Sequence, residues 1–309
     1  MKKPRHYCRD VLIVKIGASL TLSTVLVSMG GALAQAPIAF DADGVQMLRP
    51  SAAGGSHLRL GSNNPNRHPA FGFDYKTMAS AEQENGLPYW HLNASALTYA
   101  SGAQGYTARL HLYASGGKQQ FNWKTQKGHL SQPGDVRNQE FTVYVRVHEL
   151  LTRVGAQVSL KIRGGGHHAK DPDAASATMM TFAPATHPSI TRFGKELSHP
   201  IYDYVKLKPE FDASLQSNVW TGLKLLSWTN PANPQQVINQ LYLDNAPFDA
   251  TGKPSNRWRL FSQYVDEAGK NTGHYAQLAD WGGWQTTLRV DGYRSVDLAW
   301  PSVREILPP

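Results

Sequence analysis

Two adjacent histidines follow three glycines in the stretch RGGGHHAKDP, residues 163–172. Imidazole is the side chain best suited to take up or release a proton near neutral pH, and glycine lets the backbone turn sharply. We predict a turn that presents His167 and His168 at the rim of a substrate-binding face, where His168 could act as a general base. The alternative is a hairpin tip with solvated histidines.

Two segments with alternating polarity precede this turn, EFTVYVRVHELL at 140–151 and AQVSLKIRGGG at 156–166. Successive side chains of a strand point to opposite sides of a sheet, so each segment has an apolar face and a polar face. We predict a hairpin through the intervening TRVG whose polar face carries Tyr144, Arg146, His148, Lys161 and Arg163. Arginine binds a carboxylate through two parallel hydrogen bonds, which makes Arg146 and Arg163 candidates for holding an acidic sugar.

A second group of candidate catalytic residues lies in KELSHPIYDY, residues 195–204. His199 is an alternative base, Tyr202 is a candidate acid, and Lys195 could contact substrate. The competing interpretation is an ordinary loop that packs its tyrosines on the core.

Two further segments could contact a glycan. In VINQLYLD, residues 237–244, Gln240 and Tyr242 share a strand face, with Lys224 on a neighbouring strand; Tyr242 is either an alternative acid or structural packing. In DWGGWQ, residues 280–285, the glycines indicate a loop that could expose Trp281 and Trp284 for stacking on sugar rings.

The spacing of histidines does not predict a transition-metal site. Adjacent histidines on an extended strand point in opposite directions, and no H-x-H or H-E-x-x-H pattern occurs. We therefore predict no required cofactor. Structural calcium is possible, although no D-x-D-x-D-G loop is present; the candidate ligands are Asp171, Asp173, Asp244 and Asp297.

Other hydrolytic chemistries are less well supported. A glycosidase places two carboxylates on opposite sides of a cleft, whereas the polar strand faces here carry mostly Arg, Lys, His and Tyr. A serine hydrolase is disfavoured because the G-x-S-x-G motif is absent.

The elements that must position these residues are short strands. Period-2 patterns recur along the chain, separated by segments rich in Asn, Pro and Gly such as GSNNPNRHPAFG. This pattern predicts an all-β, single-domain antiparallel β-sandwich or jelly roll. A multi-bladed propeller is the alternative, but no blade repeat is visible.

The N-terminus has the organisation of a secretory signal peptide. Basic residues precede an apolar stretch that ends in Ala34-Gln35-Ala36. We predict a signal peptide at 1–36, cleavage after Ala36, a β-jelly-roll domain at 37–309, and a secreted or periplasmic protein that has no membrane attachment after cleavage. The apolar run is shorter than the ~20 residues that a membrane span needs.

Export and charge indicate the kind of partner. Cys8 is the only cysteine and lies in the signal segment, so the predicted mature chain has neither a disulfide nor a thiol nucleophile. Removing the segment takes five Lys/Arg residues and one Asp with it, which lowers the net charge from +8 to +4. This mild excess favours an acidic polysaccharide; nucleic acid is not expected, because no Lys/Arg run or recognition motif occurs.

Several segments resemble a known family in the order in which they occur: NQEFTVYVRV, KIRGGGHH, RFGKELSHPIYDY, WTGLKLL, QLYLD, LRVDGY at 288–293 and SVREI at 302–306. Together they look like secreted concanavalin-A-like jelly-roll proteins close to the alginate- and glucuronan-lyase type of polysaccharide lyases. The resemblance covers roughly residues 38–307. It implies a sandwich fold and action on a uronic-acid polymer.

Two functional hypotheses follow. The first is a polysaccharide lyase that cleaves an acidic polymer by β-elimination, with Arg146 and Arg163 on the carboxylate, His168 or His199 as base and Tyr202 or Tyr242 as acid. The second is a non-catalytic carbohydrate-binding jelly roll that uses the same face. The sequence does not indicate the oligomeric state.

Overall fold

The computed structural model describes residues 38–61, 64, 66–67, 70–73, 79–98, 104–114, 135–152, 155–165, 176–183, 190–270 and 275–309. The predicted signal segment and the turn carrying His167 and His168 lie outside these residues, so both stay predictions. No helical segment in the described part of the chain has the length and apolarity that a membrane crossing requires.

The described chain is built from short strands. In chain order they are β1 (Ala39–Phe40), β2 (Gln46–Met47), β3 (His57–Arg59), β4 (Phe71–Phe73), β5 (Ala79–Glu84), β6 (Leu87–Asn93), β7 (Ser95–Thr98), β8 (Gln104–Tyr113), β9 (Gln139–Val147), β10 (Gln157–Gly164), β11 (Ala177–Ala183), β12 (Ile190–Ser198), β13 (Ile201–Leu207), β14 (Thr221–Thr229), β15 (Gln236–Asp244), β16 (Arg259–Glu267), β17 (Gln285–Asp291) and β18 (Ser295–Glu305).

Two large antiparallel sheets contain nearly all of these strands. The front sheet has the order β13-β12-β11-β10-β17-β8-β4, with β7 also paired to β8. The back sheet has the order β16-β15-β14-β9-β18-β6-β5, with β3 also paired to β18. This arrangement confirms the predicted all-β antiparallel sandwich.

The core lies between the two sheets and is built by the alternation seen in the sequence. On β9, Phe141, Val143 and Val145 are fully buried against the front sheet, whose β10 contributes Val158 and Leu160. At roughly 25 cal/mol per Å² of apolar surface removed from water, this shared interior is the main force that holds the sheets together.

The predicted hairpin between β9 and β10 is wrong. β9 pairs with β14 and β18 in the back sheet, whereas β10 pairs with β11 and β17 in the front sheet. Alternation fixes which face of a strand is apolar, but two such faces can lie side by side in one sheet or opposite each other across a core. The second arrangement is the one adopted, so the polar faces of β9 and β10 lie on opposite outer surfaces.

Arg163 lies in the interior, so its predicted position beside Lys161 on the outer face is also wrong. The register of β10 shifts between Lys161 and Gly164, and Arg163 has φ 53°. This bulge directs the fully buried guanidinium inward, where Nε donates to Ser227 Oγ (3.2 Å) and Nη1 donates to the Trp281 carbonyl (2.7 Å). Burial, with Arg137 nearby, lowers the pKa of Arg163 to about 9.

The bulge requires glycine at position 283, and this gives a test of the local packing. A Cβ at Gly283 would overlap the backbone of Arg163 and Gly164, including Arg163 Cα at 2.8 Å. We expect Gly283→Ala to lower the free energy of unfolding by about 3 kcal/mol in urea titration, because backbone cannot yield as a side chain does. Gly61→Ala is the matched control, since the atoms nearest its Cβ belong to the Arg59 side chain at 3.7–3.8 Å; equal losses in both variants would contradict this account.

Candidate functional site

The outer surface of the front sheet carries a group of polar side chains of the kinds that suit an acidic glycan. We call this surface the basic face and define it by Arg109, His111, Lys161, Arg192, Glu196, Tyr202, Tyr204, Gln285, Thr287, Arg289 and Asp291. These side chains alternate with the core residues of β8, β10, β12, β13 and β17.

Strand register places the basic-face residues in rows across the sheet. Thr287 on β17 lies between its cross-strand partners His111 on β8 and Lys161 on β10. Two residues further along β17, Arg289 is the cross-strand partner of Arg109 on β8. Strands lie ~4.8 Å apart, so the five steps from β8 to β13 span about 24 Å. Within this width Arg109, His111, Lys161, Gln285 and Thr287 are 6–7% exposed, and Tyr204 is the more exposed of the two tyrosines of the face at 38%.

Cations outnumber carboxylates among these residues. Arg289 Nε donates to Asp291 Oδ2 at 2.6 Å, and Arg109 Nη1 lies 3.6 Å from Asp291 Oδ1. One carboxylate is thus shared by two guanidinium groups. Lys161 is paired with Glu196, and Arg192 lies over the Tyr204 ring at 5.4 Å, which leaves the face with a net positive charge.

Glu196 connects the three groups that could transfer protons. Its carboxylate lies 2.5 Å from Lys161 Nζ and 2.7 Å from His199 Nδ1, and it also accepts a hydrogen bond from Tyr202. Burial alone would raise the pKa of Glu196, but the Lys161 ammonium and the three hydrogen bonds outweigh it and hold that pKa at about 2. Burial and the Glu196 charge raise the pKa of Tyr202, so its hydroxyl stays protonated.

The low pKa of Glu196 predicts an acid-dependent loss of stability. As the pH falls from 4.5 towards 2, the unfolded chain takes up a proton that folded Glu196 does not, so stability present above pH 4.5 is lost. We expect the free energy of unfolding to fall on the order of 3 kcal/mol further over this window in the natural chain than in Glu196→Gln. Urea titrations at pH 5 and pH 2.5 measure the difference, and parallel losses in the two proteins would contradict it.

A small pocket opens beside Lys161. Its other walls include Arg109, His111, Gln285 and Thr287, and it encloses about 10 Å³. Gln285 Nε2 lies 2.7 Å from His111 Nδ1, which is itself 2.9 Å from Thr287 Oγ1. The space holds about one water-sized group, so an oxygen of a carboxylate could enter while the sugar ring stays above the face.

Two tyrosines stack on each other and form an aromatic surface at the edge of the basic face. The rings of Tyr202 and Tyr204 are parallel within 2° with centroids 5.8 Å apart, and Tyr204 is 38% exposed. Gly194 makes room for them, since a Cβ there would lie 2.8 Å from the Tyr204 ring. Such a surface suits stacking on a sugar ring.

The structure brings together only part of the predicted site. His199, Tyr202 and Lys161 converge on Glu196. Lys195 does not join them, because its side chain points into the sandwich, where Nζ lies 2.7 Å from Asp266 Oδ1 and both groups are fully buried. The predicted exposure of Trp281 and Trp284 is also wrong: Trp284 is buried, and half-buried Trp281 donates from Nε1 to the Arg163 carbonyl at 3.0 Å.

The remaining predicted residues within the described ranges lie on the outer surface of the back sheet, away from the basic face. Tyr144 is fully buried there among Trp258, Phe248 and Trp300. Buried Lys224 is paired with Glu140 at 2.7 Å. Arg146 and His148, predicted to share a face with Lys161, also lie here, as do the candidate glycan contacts Gln240 and Tyr242.

The two described calcium candidates have protein partners. Asp244 accepts hydrogen bonds from Ala246, Ser255 and Arg257, which makes it an anchor for the loop after β15. Asp297 contacts two histidines and an arginine. Asp171 and Asp173 lie outside the described residues.

Sequence reasoning missed Arg109, His111, Glu196, Gln285 and Arg289. For the four that lie on β8 and β17 the signal was available, because TARLHLY at 107–113 and QTTLRVD at 285–291 alternate as clearly as β9 does. Alternation within one segment does not indicate which other segments share its sheet, so β8 and β17 were not predicted to contribute to the site.

Comparison with known proteins finds similarity in fold. No protein-family model matches the chain, and no curated protein matches it. Similar solved structures include the exoplasmic/lumenal domain of VIP36 with Ca²⁺ and Man3GlcNAc bound (TM-score 0.38, 10% identity, 80% of this chain and 88% of that one). They also include the alginate lyase Aly36B, with a TM-score of 0.33 and 12% identity over 82% of this chain and 98% of that one. Lectin I-B4 from Griffonia simplicifolia has a TM-score of 0.33 and 11% identity over 80% of this chain and 98% of that one.

An alginate lyase and a lectin both occur among these structures. At such low identity and TM-score they assign no activity. The function has to be inferred from this chain's own residues.

Proposed function

We propose that the protein is an exported lyase that cleaves an acidic, uronic-acid-containing polysaccharide on the basic face. The observation that carries the proposal is the convergence of Lys161, His199 and Tyr202 on buried Glu196, beside Arg109 and Arg289. Cations that neutralise a carboxylate thus lie on the same surface as groups that can accept and donate protons. The signal-like N-terminus supports export.

Elimination needs three contributions, and the basic face can supply each. The sugar carboxylate must be neutralised so that the adjacent C5 proton becomes acidic, and Lys161 with Gln285 in the small pocket suits that role. His199 donates from Nδ1 to Glu196, and its other ring nitrogen, Nε2, is the atom assigned to accept the C5 proton. Tyr202 is held protonated and can donate to the departing glycosidic oxygen at C4.

The proton and electron balance of this step closes without a cofactor. The C5–H bond breaks and its proton goes to His199, while the electron pair forms the C4=C5 double bond and the C4–O bond breaks. Tyr202 supplies the proton of the new hydroxyl, and proton return from His199 through water restores both groups.

The activity test is direct. The chain is incubated with alginate, glucuronan and pectate, and with neutral dextran, while the ultraviolet absorbance of unsaturated uronate is recorded. We expect a rise on at least one acidic polymer and none on dextran. No rise on any acidic polymer would contradict the lyase proposal.

A binding role is the second candidate, and the Tyr202–Tyr204 stack with its exposed Tyr204 ring favours it. Parallel rings beside Arg192 could hold a sugar by stacking and charge without any bond breaking. Retained affinity for an acidic polymer, with no unsaturated product, is the result expected for this alternative.

A further inference from the structure

The back sheet holds a second cluster of titratable side chains, on the outer surface opposite to the basic face. His91 on β6, Asp297 on β18 and Arg146 on β9 are direct cross-strand neighbours. His148 follows β9, and its backbone N–H donates to the Ser295 carbonyl at 3.0 Å, which fixes it beside them. The proposed lyase chemistry uses none of these residues.

The three potential ligands converge on one point. His91 Nδ1 lies 2.6 Å from Asp297 Oδ1, and His148 Nε2 lies 2.8 Å from Asp297 Oδ2. One ligand atom from each residue lies within 4.8 Å of the other two. A tetrahedral ion with ~2.1 Å bonds separates its ligand atoms by about 3.4 Å, so the imidazole–carboxylate gaps need to open by less than about 1 Å.

Asn218 fixes the orientation of the His148 ring. Its Oδ1 lies 2.7 Å from His148 Nδ1, and its backbone N–H donates to the Val147 carbonyl. An amide oxygen accepts only, so Nδ1 carries a ring proton and Nε2 is the nitrogen that faces the Asp297 carboxylate. Nε2 is therefore the ring atom that could bind a metal ion.

Arg146 completes the surroundings of the site. Its Nε donates to Asp297 Oδ2 at 2.7 Å, it also contacts Glu84, and its guanidinium lies 4.8–5.0 Å from the rings of Trp220 and Tyr89. Asp297 is 1% exposed whereas Glu84 is 48% exposed, so Asp297 is the carboxylate that water screens least.

We propose that His91, His148 and Asp297 form a binding site for a zinc-like divalent ion. Two imidazole nitrogens and one carboxylate oxygen suit zinc or a neighbouring first-row metal better than calcium or magnesium, which prefer oxygen ligands. The two histidines are 25–30% exposed, so the fourth position faces solvent. Asn218 and Arg146 act as positioning residues, because they hold His148 and Asp297 in the ligating orientation.

Metal binding is tested on the chain carrying no polyhistidine tag, after treatment with EDTA. We expect calorimetry to show one Zn²⁺ bound per chain, and Co²⁺ to give the intense visible bands of a four-coordinate ion. His148→Gln should weaken Zn²⁺ binding at least 100-fold and abolish the cobalt bands. Asn218→Gly keeps the residue's φ of 63° accessible and should weaken binding by about 10- to 100-fold.

His57→Gln, at an exposed position on β3, is the matched control and should bind zinc as the natural chain does. The melting temperature should rise with added Zn²⁺ in the natural chain but not in His148→Gln. The cobalt spectrum of the natural chain needs no substitution, so it tests the site even if a variant fails to fold. Absence of stoichiometric binding, or binding that survives in His91→Gln/His148→Gln, would overturn the proposal and leave a proton as the bridge.

Discussion

Replacing Tyr202 by Phe is expected to lower the rate of polysaccharide elimination by about 10²- to 10⁴-fold while leaving substrate affinity nearly unchanged. The hydroxyl is the only group that the substitution removes, and the ring keeps its parallel stack with Tyr204. The loss should therefore appear in kcat, because the proposed proton donation takes place in the transition state and adds little to ground-state binding.

Tyr204→Phe is the matched control for this effect. It removes the same group from the neighbouring ring on the same strand, but Tyr204 is not one of the donors to Glu196. We expect it to keep kcat within about 3-fold of the natural chain. His199→Gln should reduce kcat as strongly as Tyr202→Phe, since it removes the proposed base. Similar kcat values for Tyr202→Phe and Tyr204→Phe, measured by uronate absorbance, would contradict the assignment of the acid.

Replacing Lys195 by Met is expected to have the largest effect on stability, a loss of about 3–5 kcal/mol in the free energy of unfolding. Lys195 and Asp266 are both fully buried, with Nζ and Oδ1 2.7 Å apart. Lys195 Nζ also donates to the carbonyl of Gln277 at 2.7 Å, and Asp266 Oδ2 accepts from the Ala279 N–H. Removing the cation leaves a carboxylate without its charge partner in the interior.

The double variant Lys195→Met/Asp266→Leu separates the cost of an isolated charge from the value of the pair. Two apolar groups of similar size leave no buried charge, so we expect the double variant to recover at least half of the lost stability. Urea titration of the natural chain, the single variant and the double variant measures both quantities. A double variant less stable than Lys195→Met would show that the pair itself, with its bonds to 275–279, carries the stability.

The fold was predictable because alternation and the absence of helical periodicity determine a sandwich. Strand partners were not: the apolar faces of β9 and β10 pack against each other across the core, although their proximity in sequence favoured a hairpin. The same two strands were therefore predicted to share a substrate face that does not exist. His199, Tyr202 and Lys161 were identified for their chemistry and converge through long-range pairing of β10, β11 and β12.

Two site features had no usable signal in the sequence. Arg163 continues a regular alternation, and only the bulge between Lys161 and Gly164 reverses its direction. Glu196 sits next to Lys195 in the chain, yet β12 directs Lys195 inward and Glu196 outward, so only the register decides which one faces substrate. The cluster at Asp297 joins β6, β9 and β18 from distant parts of the chain, which explains why local histidine spacing gave no indication of it.

The most direct test of the central proposal compares binding of a uronate oligosaccharide to variants of the two outer surfaces. Arg289→Gln and Arg192→Gln remove charge from the basic face, whereas Arg146→Gln removes it from the back sheet. Calorimetry at fixed ionic strength, with folding checked by circular dichroism, is expected to show at least 10-fold weaker binding for each basic-face variant and little change for Arg146→Gln. Unchanged binding in both basic-face variants, with a loss in Arg146→Gln, would contradict the proposed location of the site.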